Sequence, residues 1–326
     1  MLYIRRTSTD PYFNIAAEEY VLKEFKENCF MLWQNDPSII VGKHQNTLAE
    51  INYAYVKEKG IPVVRRISGG GTVFHDPGNL NFTFIQNGTD ENLVNFKKYT
   101  EPILEVLRSM GIDARFEGHN NLTIRGKKFS GNAEHVYKNR TLHHGTLLFS
   151  STLPELTRAL KIEAGKFQDK AVKSVPQAVT NLQDHLEEKL SIEEFKNRIR
   201  DYLLGLYPGA KHYAFSKQDI SKINELVNNK YSTWEWNFGY SPKYSLKKSV
   251  ETAKGRIDFV MDIKNGLIQK LKIGGDLPVT PEITVFEQSM TGAPHEEKEL
   301  ANKLKTLNIN EIFQDVGMGE LLKGFF

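Results

Sequence analysis

The stretch RRISGGGTVFHD at residues 65–76 decides how the rest of the chain is interpreted. Two arginines precede three consecutive glycines, which would destabilise the interior of a helix or strand, so the glycines are predicted to form a loop. Arginine makes bidentate contacts to oxyanions, and backbone amides without neighbouring Cβ atoms can close around oxygens. The stretch therefore predicts a site for an anionic ligand. A tight turn beside surface arginines is the alternative for the motif taken alone.

The usual phosphate-binding motifs do not fit this loop. A Walker loop requires GxxxxGK[ST], and the dinucleotide fingerprint requires GxGxxG at the start of a helix. Here Gly71 is followed by the strand-like sequence TVF. A nucleotide bound at this loop would therefore be held by a different architecture.

Two further segments place polar side chains on predicted strands. In GKKFSGNA, residues 126–133, a lysine beside small residues can reach into a cleft as a point charge. The alternative is a solvated hairpin lysine.

In RTLHHGT, residues 140–146, the neighbours His143 and His144 face opposite sides of a strand. They are not expected to chelate one metal ion, and no metal site is predicted.

Composition excludes several classes of protein. The 326 residues contain 43 basic and 40 acidic side chains, a formal net charge of +3. This balance has no basic signature of nucleic-acid binding, and no apolar run approaches the roughly 20 residues that span a bilayer. The start of the chain has no apolar region after its charges. We therefore expect a cytoplasmic protein that binds neither nucleic acid nor membrane.

The single cysteine, Cys29, lies in the apolar run CFMLW. One cysteine cannot build a disulfide framework or a cysteine-rich zinc site. A buried, inert thiol is the expected state. Cys29 is nevertheless the only candidate thiol nucleophile in the chain.

Local patterns predict helices and strands along the whole chain. The helices are expected at 14–25, after an Asp10 cap, at 52–59, at 93–110, after a capping box at Ser191, at 296–307 and at 309–326. Strands are expected at 29–33, 38–42 and 62–67, followed by two hairpins with turns near Gly126 and Asn139 and a long loop at 161–176.

A different pattern begins near residue 245. In RIDFVMDI, residues 256–263, alternate positions are apolar, Asn265-Gly266 supplies a type I′ turn, and LIQKLKI resumes the alternation. At roughly 150 residues per domain the length predicts about two domains. We place them at residues 1–245 and 246–326.

The chain resembles the lipoate-protein ligase A family of the biotin/lipoate protein ligase superfamily. The segments that carry the resemblance, in this order, are LWQNDPSIIVGKHQN, RRISGGGTVFHDPGNLNFTF, KKFSGNA, RTLHHGTLL and WEWNFG. The resemblance implies an α+β fold: a mixed β-sheet catalytic domain flanked by helices, and a small α+β C-terminal accessory domain. It also implies an ATP-dependent enzyme that converts lipoate to lipoyl-AMP, releases pyrophosphate and acylates a lysine of an acceptor protein.

The resemblance assigns roles to single residues. Lys128 matches the essential lysine that bridges the lipoate carboxyl group and the adenylate phosphate, and Arg140 matches a further cleft arginine near the acyl-phosphate. The residues expected to bind ATP are Arg66, Gly71, Thr72, Val73, Phe74, Asn121 and Lys128. Those expected to bind lipoate and the adenylate are Ser68, Gly69, Gly70, Lys128 and Arg140.

The same resemblance implies substrates and partners. ATP chemistry implies Mg²⁺, although the sequence shows no cluster of metal ligands. The implied acceptors are apo lipoyl-domain proteins, the E2 subunits of 2-oxoacid dehydrogenases, or the glycine-cleavage H protein. The choice of acceptor, the preference for lipoate over octanoate and the oligomeric state are left open.

One segment departs from the family. At SVPQAVTN, residues 174–181, the family commonly carries arginine near the positions of Pro176 and Ala178. This departure leaves open a non-catalytic lipoate- or nucleotide-binding protein. Two further alternatives to the ligase are an octanoyl or lipoyl acyltransferase of the same fold and, more weakly, a biotin ligase. The acyltransferase would need a cysteine thioester, and Cys29 lies outside the cleft segments.

Overall fold

The structure, a computed structural model, describes residues 1–88, 93–160, 166–276, 282–313 and 316–326. These residues form two compact units. The first unit contains Met1–Lys43, Ile61–Thr157 and Ser174–Ser232, and the second contains His44–Gly60, Arg158–Lys173 and Thr233–Phe326.

Strands and helices alternate along much of the chain. The strands are β1 (Leu2–Arg5), β2 (Cys29–Trp33), β3 (Ser38–Val41), β4 (Val63–Arg65), β5 (Val73–His75), β6 (Asn79–Asn87), β7 (Arg115–Glu117), β8 (Asn121–Ile124), β9 (Lys127–Tyr137), β10 (Arg140–Leu148), β11 (Phe167–Asp169), β12 (Lys211–Ala214), β13 (Tyr244–Thr252), β14 (Gly255–Lys264) and β15 (Leu267–Gly275). The α-helices are α1 (Pro11–Glu24), α2 (Tyr53–Lys59), α3 (Phe96–Ser109), α4 (Leu153–Ala159), α5 (Ile192–Leu206), α6 (Lys217–Leu226), α7 (Ile283–Met290), α8 (Glu297–Lys305), α9 (Ile309–Phe313) and α10 (Met318–Phe325).

An eight-stranded sheet with the order β12-β1-β2-β6-β10-β9-β8-β7 organises the first unit. The pairs β12-β1 and β1-β2 are parallel, and the remaining pairs are antiparallel. The core between the sheet and helices α3 and α5 contains Phe30, Phe84, Phe129, Leu107 and Phe195. Each such side chain contributes roughly 1.5–3 kcal/mol on burial. The predicted mixed sheet flanked by helices is confirmed.

A three-stranded sheet, β4-β3-β5, carries the glycine-rich segment of the first unit. β4 runs parallel to β3 and β5 runs antiparallel to it, so Arg65 pairs with Val41 and Phe74 pairs with Ile39. β4 and β5 thus lie on opposite sides of β3 and run in opposite directions, so the residues between them must turn the chain back. The glycine loop is anchored at both ends by one strand.

The second unit has its own sheet, β11-β13-β14-β15, and its own apolar core. The core includes Leu246, Phe259, Met261, Phe286 and Phe325. This unit contains Thr233–Phe326 and, in addition, His44–Gly60 and Arg158–Lys173. The domain boundary at residue 245 stays a prediction.

Local sequence signals account for most element boundaries. The Asp10 side chain accepts a hydrogen bond from the Phe13 amide at 3.0 Å, which confirms the cap of α1. The two predicted hairpins exist, but they share one long strand, β9. The segment 161–176 contains the short strand β11, while residues 161–165 lie outside the described part of the chain. The segment 309–326 contains two helices, α9 and α10, with residues 314–315 outside the described part.

Among the residues that the structure describes, no helix combines the length and the apolar character that crossing a membrane requires.

Candidate active site

Arg66 lies beneath the glycine loop and holds its conformation. Its Nη2 donates to the carbonyl oxygens of Gly69 at 2.6 Å and Gly71 at 2.7 Å, and its Nη1 donates to the carbonyl of Ile40 at 3.1 Å. Burial lowers the pKa of Arg66 to about 10, so the guanidinium stays charged at neutral pH. Much of its donor capacity is therefore used inside the protein, where it fixes the loop.

A buried hydrogen-bond relay supports this loop from the sheet and from α1. Ser68 Oγ lies 2.6 Å from His144 Nε2, and His144 Nδ1 lies 3.0 Å from Glu18 Oε2. Thr83 Oγ1 donates to Glu18 Oε1 at 2.6 Å and accepts from Trp33 Nε1 at 2.9 Å. The negative charge of Glu18 also favours the protonated form of the buried Arg66. A carboxylate on a helix thus stabilises the loop through two partners.

Glu18 was not among the sequence candidates, although a signal was present. α1 is buried at every position from Asn14 to Leu22, and Glu18 lies inside that stretch. Acidic side chains are almost never fully buried without a partner. A carboxylate within a largely apolar helix is therefore the signal that marks such a residue.

Lys128, near the start of β9, presents a partly desolvated ammonium group. Burial, followed by the positive charge of Arg66, lowers the pKa of Lys128 below its ordinary value. Among the residues that the structure describes, no carboxylate pairs with this ammonium. Its neighbour Lys127 is exposed. Two neighbouring cations, Arg66 and Lys128, therefore attract an anion to this region.

Close approach of backbone and side chains brings the segments 65–76 and 126–133 together. A Cβ atom on Gly70, whose φ is +85°, would lie 3.0 Å from Arg66 Nη2 and 3.8 Å from Ala133 Cβ. A Cβ atom on Gly131 would lie 3.0 Å from Lys128 Nζ. The glycine loop, the Lys128 ammonium and the middle of β9 thus share one region of the first unit.

The segment 174–181 lies against the same region. The Thr72 amide donates to Ser174 Oγ at 2.9 Å. The Lys128 amide donates to the Ala178 carbonyl at 2.9 Å, and the Thr180 amide donates to the Lys128 carbonyl at 3.0 Å. Val175 is 77% exposed. Ser174 was also missed from the sequence, since its contact with Thr72 joins residues that are far apart in the chain.

The structure brings together most of the predicted site residues. Asn121 pairs in register with Gly131, which is in contact range of Lys128. The residues gathered around the loop and the start of β9 are Arg66, Ser68, Gly69, Gly70, Gly71, Thr72, Asn121 and Lys128. Val73 and Phe74 follow the loop as strand residues paired with Ile40 and Ile39.

Arg140 is not brought together with Lys128. It begins β10, opposite Tyr137 at the far end of β9. At about 3.3 Å per strand residue, Tyr137 lies roughly 30 Å along β9 from Lys128. The Arg140 guanidinium instead donates to Asn87 Oδ1 and to the Glu27 carbonyl, both at 3.0 Å. The antiparallel register of the hairpin is the physical reason for this separation.

The two histidines face opposite sides of β10, as predicted. His143 is buried beside Glu134 Oε1, at 2.8 Å, and stacks on Tyr99 with 5.0 Å between ring centroids. His144 instead joins the relay to Glu18. Within the described part of the chain, no group of three or more His, Cys, Asp or Glu side chains is arranged to hold a metal ion.

Cys29 is buried in β2, as its apolar surroundings in the sequence predicted. Burial raises the pKa of its thiol to about 12. The reactive form of cysteine is the thiolate, which is scarce at neutral pH when the pKa is this high. The structure therefore provides no activated thiol for a thioester mechanism at Cys29.

The fold and the site together define a class of protein: an α+β protein in which a glycine loop and a partly desolvated lysine form a region suited to an anionic ligand. Residues 10–204 match the family described as the lipoyl protein ligase A/B catalytic domain, and residues 241–324 match the bacterial lipoate protein ligase C-terminus. The chain belongs to the lipoyl protein ligase A/B family, which confirms the resemblance of its motifs.

Two curated relatives match over nearly their full length. Lipoate-protein ligase 1 of Staphylococcus aureus is 41% identical over 317 residues, which cover 97% of this chain and 96% of that protein. Lipoate-protein ligase LplJ of Bacillus subtilis is 36% identical over 327 residues, which cover 99% of each.

Solved structures share the fold over 73% of this chain, each with 26% sequence identity. A lipoate-protein ligase A bound with ATP has a TM-score of 0.64 and is covered to 98%. A Thermoplasma acidophilum protein with bound lipoic acid has a TM-score of 0.63 and is covered to 98%. A bipartite ligase of the same organism, described together with its E2 lipoyl domain, has a TM-score of 0.63 and is covered to 96%.

Proposed function

We propose that this protein is an ATP-dependent lipoate-protein ligase. It activates free lipoate to lipoyl-AMP, releases pyrophosphate and transfers the lipoyl group to a lysine of an acceptor protein. One observation carries the assignment: the half-buried Lys128 ammonium has no carboxylate partner among the described residues and lies beside the glycine loop. Relatives named lipoate-protein ligase match this chain along nearly its whole length.

Lys128 is proposed to act by positioning two anions. The lipoate carboxylate is ionised at neutral pH, so it needs no protein nucleophile or base to attack the α-phosphate. An ammonium between the carboxylate and the phosphate holds them in attack geometry and offsets the charge that develops at phosphorus. Its lowered pKa, caused by burial and by Arg66, would rise again when anions bind.

The glycine loop is proposed to bind the nucleotide and the adenylate. Arg66 holds the loop from below through the carbonyls of Gly69 and Gly71, and Asn121 offers a polar side chain from β8. The loop amides of Gly71 and Thr72 are the proposed phosphate donors. The nucleotide is taken as its Mg²⁺ complex, in which Mg²⁺ enters with the phosphates of ATP, because Mg²⁺ is commonly held through substrate phosphates.

The proposed acceptors are apo lipoyl-domain proteins, such as E2 subunits of 2-oxoacid dehydrogenases, and the glycine-cleavage H protein. The archaeal ligase with the same fold is described with its E2 lipoyl domain, which supports the first class. We also propose that the protein acts in the cytoplasm, where ATP and newly made acceptors are present.

Pyrophosphate release tests the assignment directly. Purified protein mixed with lipoate and Mg-ATP is expected to release one pyrophosphate per active site without acceptor, and to turn over when an apo-acceptor is added. Mass spectrometry of an apo lipoyl domain and an apo H protein, assayed side by side, then identifies the acceptor. Binding of lipoate without pyrophosphate release would leave the non-catalytic binding protein as the explanation.

A further inference from the structure

A ligand-sized cavity lies entirely within the second compact unit. Its volume is about 570 Å³, inside the range of about 300–1,000 Å³ that small-molecule sites occupy. α2, β11, β13, α8 and α10 contribute lining residues. Apolar side chains form much of the wall, among them Leu48, Ile51, Phe167, Leu322 and Phe326.

The charged groups in this wall are strongly unbalanced. Four lysines, Lys57, Lys166, Lys248 and Lys323, line the cavity with one carboxylate, Glu297. Both oxygens of Glu297 are already used: Oε1 pairs with the Lys57 ammonium, and Oε2 accepts from the Tyr53 hydroxyl at 3.0 Å. Among the described side chains of the lining, positive groups therefore outnumber negative ones by three, which favours an anionic occupant.

Two of these lysines, Lys248 and Lys323, differ in burial and in hydrogen bonding. Lys248, on β13, is half-buried and donates to the main-chain oxygen of Phe326. Lys323, on α10, is exposed and has no carboxylate partner among the residues described by the structure. A lysine ammonium has three rotatable donors and suits a carboxylate or a phosphate equally.

Ring stacking and hydrogen bonds hold the aromatic wall in place. The Phe326 ring stacks between Tyr53, at 4.8 Å, and His295, at 4.9 Å. His295 is fixed by the Tyr244 hydroxyl at Nδ1, 2.7 Å away, and by the Phe325 carbonyl at Nε2, 2.5 Å away. A preformed wall reduces the entropy that ligand binding costs.

We propose that this cavity binds a small amphipathic anion, a carboxylate or phosphate group joined to an apolar body. The lysines bind the charged group, and the wall of Phe167, Leu322 and Phe326 packs against the apolar body. This site goes beyond the proposed ligase activity, because its residues belong to the second unit and none of them was assigned to lipoate or ATP. Its test is a binding measurement that does not depend on catalysis.

Calorimetric titration of the full chain with matched probes tests the chemistry of the ligand. Phenyl phosphate and octanoate represent the phosphate and carboxylate classes, and inorganic phosphate and acetate represent the charged groups alone. At least one amphipathic probe is expected to bind ten times more tightly than its own charged group. Equal affinities of each probe and its charged group would overturn the proposal.

Gly319 offers a matched pair of variants that tests the location. It lines the cavity on α10, and a Cβ atom there would meet no heavy atom within 4 Å, so a side chain can start at this position without a clash. Gly319→Glu places a competing carboxylate among the lysines, whereas Gly319→Gln adds nearly the same volume without charge. Both changes remove the cost of glycine in a helix, so neither is expected to unfold the protein.

The Gly319→Glu variant is expected to bind the preferred probe at least tenfold more weakly than Gly319→Gln. Lys323→Gln is expected to lose about tenfold, and Lys305→Gln, an exposed lysine of α8 outside the cavity, is the matched control with no change. Binding that survives Gly319→Glu and Lys323→Gln but is lost in Lys128→Ala would overturn the proposal, since the probe would then occupy the candidate active site. Failure of the ligase assignment leaves these measurements unaffected.

Discussion

The hydroxyl of Ser174 accepts a hydrogen bond from the amide of Thr72 at 2.9 Å, so a side chain of the 174–181 segment occupies a backbone donor of the glycine loop. This donor is one of those proposed to bind the nucleotide phosphate. The hydroxyl and the phosphate would then compete for one N–H group. A neutral hydrogen bond contributes about 0.5–1.5 kcal/mol net, which sets the size of the competition.

Ser174→Ala is expected to lower the KM for ATP by about fivefold, because the phosphate no longer competes with Ser174 Oγ for the Thr72 amide. The measurement is initial-rate kinetics of pyrophosphate release at varied ATP. Ser174→Thr keeps the hydroxyl and is the control, with an unchanged KM. A raised KM in Ser174→Ala would show that the contact supports nucleotide binding instead of competing with it.

Lys128→Ala is expected to reduce pyrophosphate release about 100- to 1,000-fold, because the charge that holds the two anions is removed. The fold should survive, since the lost ammonium has no carboxylate partner among the described residues. Lys127→Ala, the exposed neighbour on β9, is the matched control and should retain near-normal rates. Comparable activity of the two variants would refute the assignment of Lys128.

Cys29→Ala is expected to leave lipoate- and ATP-dependent activity within twofold of the parent protein. The thiol is buried and burial raises its pKa to about 12, so it is protonated throughout the assay range. The removed atom should cost roughly 1 kcal/mol of unfolding free energy by leaving a small cavity. Complete loss of activity in a folded variant would revive the cysteine-dependent acyltransferase.

Glu18→Gln is expected to lower the free energy of unfolding by about 3 kcal/mol and to raise the KM for ATP. The substitution leaves the buried Arg66 without its compensating charge and weakens the hydrogen bond to His144. Urea unfolding and initial rates measure the two effects. Glu24→Gln, an exposed position on the same helix, is the control; an equally large effect there would contradict the role of Glu18.

The stability of the protein is expected to fall as the pH is lowered from 7 to 5. Burial lowers the pKa of His295 to about 4, below its ordinary value of 6.5. The unfolded chain therefore binds a proton in this pH window that the folded protein does not, which lowers the unfolding free energy by about 2 kcal/mol.

Urea unfolding at pH 7, 6 and 5 measures this effect. In His295→Gln, the slope of the unfolding free energy against pH should decrease by the equivalent of about one proton. In His119→Gln, a change at an exposed position, the slope should stay the same. An unchanged slope in His295→Gln would contradict the assignment. His75, whose pKa burial lowers to about 3, contributes in the same direction and remains in both variants.

Features that depend on a few neighbouring residues were predictable from the sequence alone. The Asp10 cap, the capping box at Ser191 and the Asn265-Gly266 turn are decided by hydrogen bonds and backbone angles within four residues. The same holds for the glycine loop, because three glycines cannot be accommodated well inside a helix or strand. The side of a strand on which each side chain lies was equally predictable, as His143 and His144 show.

Only the tertiary structure decided which of these elements share a site. Glu18 reaches His144 across 126 residues of sequence, and Thr72 reaches Ser174 across 102. The register of β9 against β10 places Arg140 at the far end from Lys128, although the two residues are close in the chain. Such contacts arise from the packing of sheets and helices, where each position depends on many distant partners, so no local pattern specifies them. The sequence by itself therefore determined the glycine loop and the family, and the packed fold determined the charges and hydrogen bonds that surround the loop and Lys128.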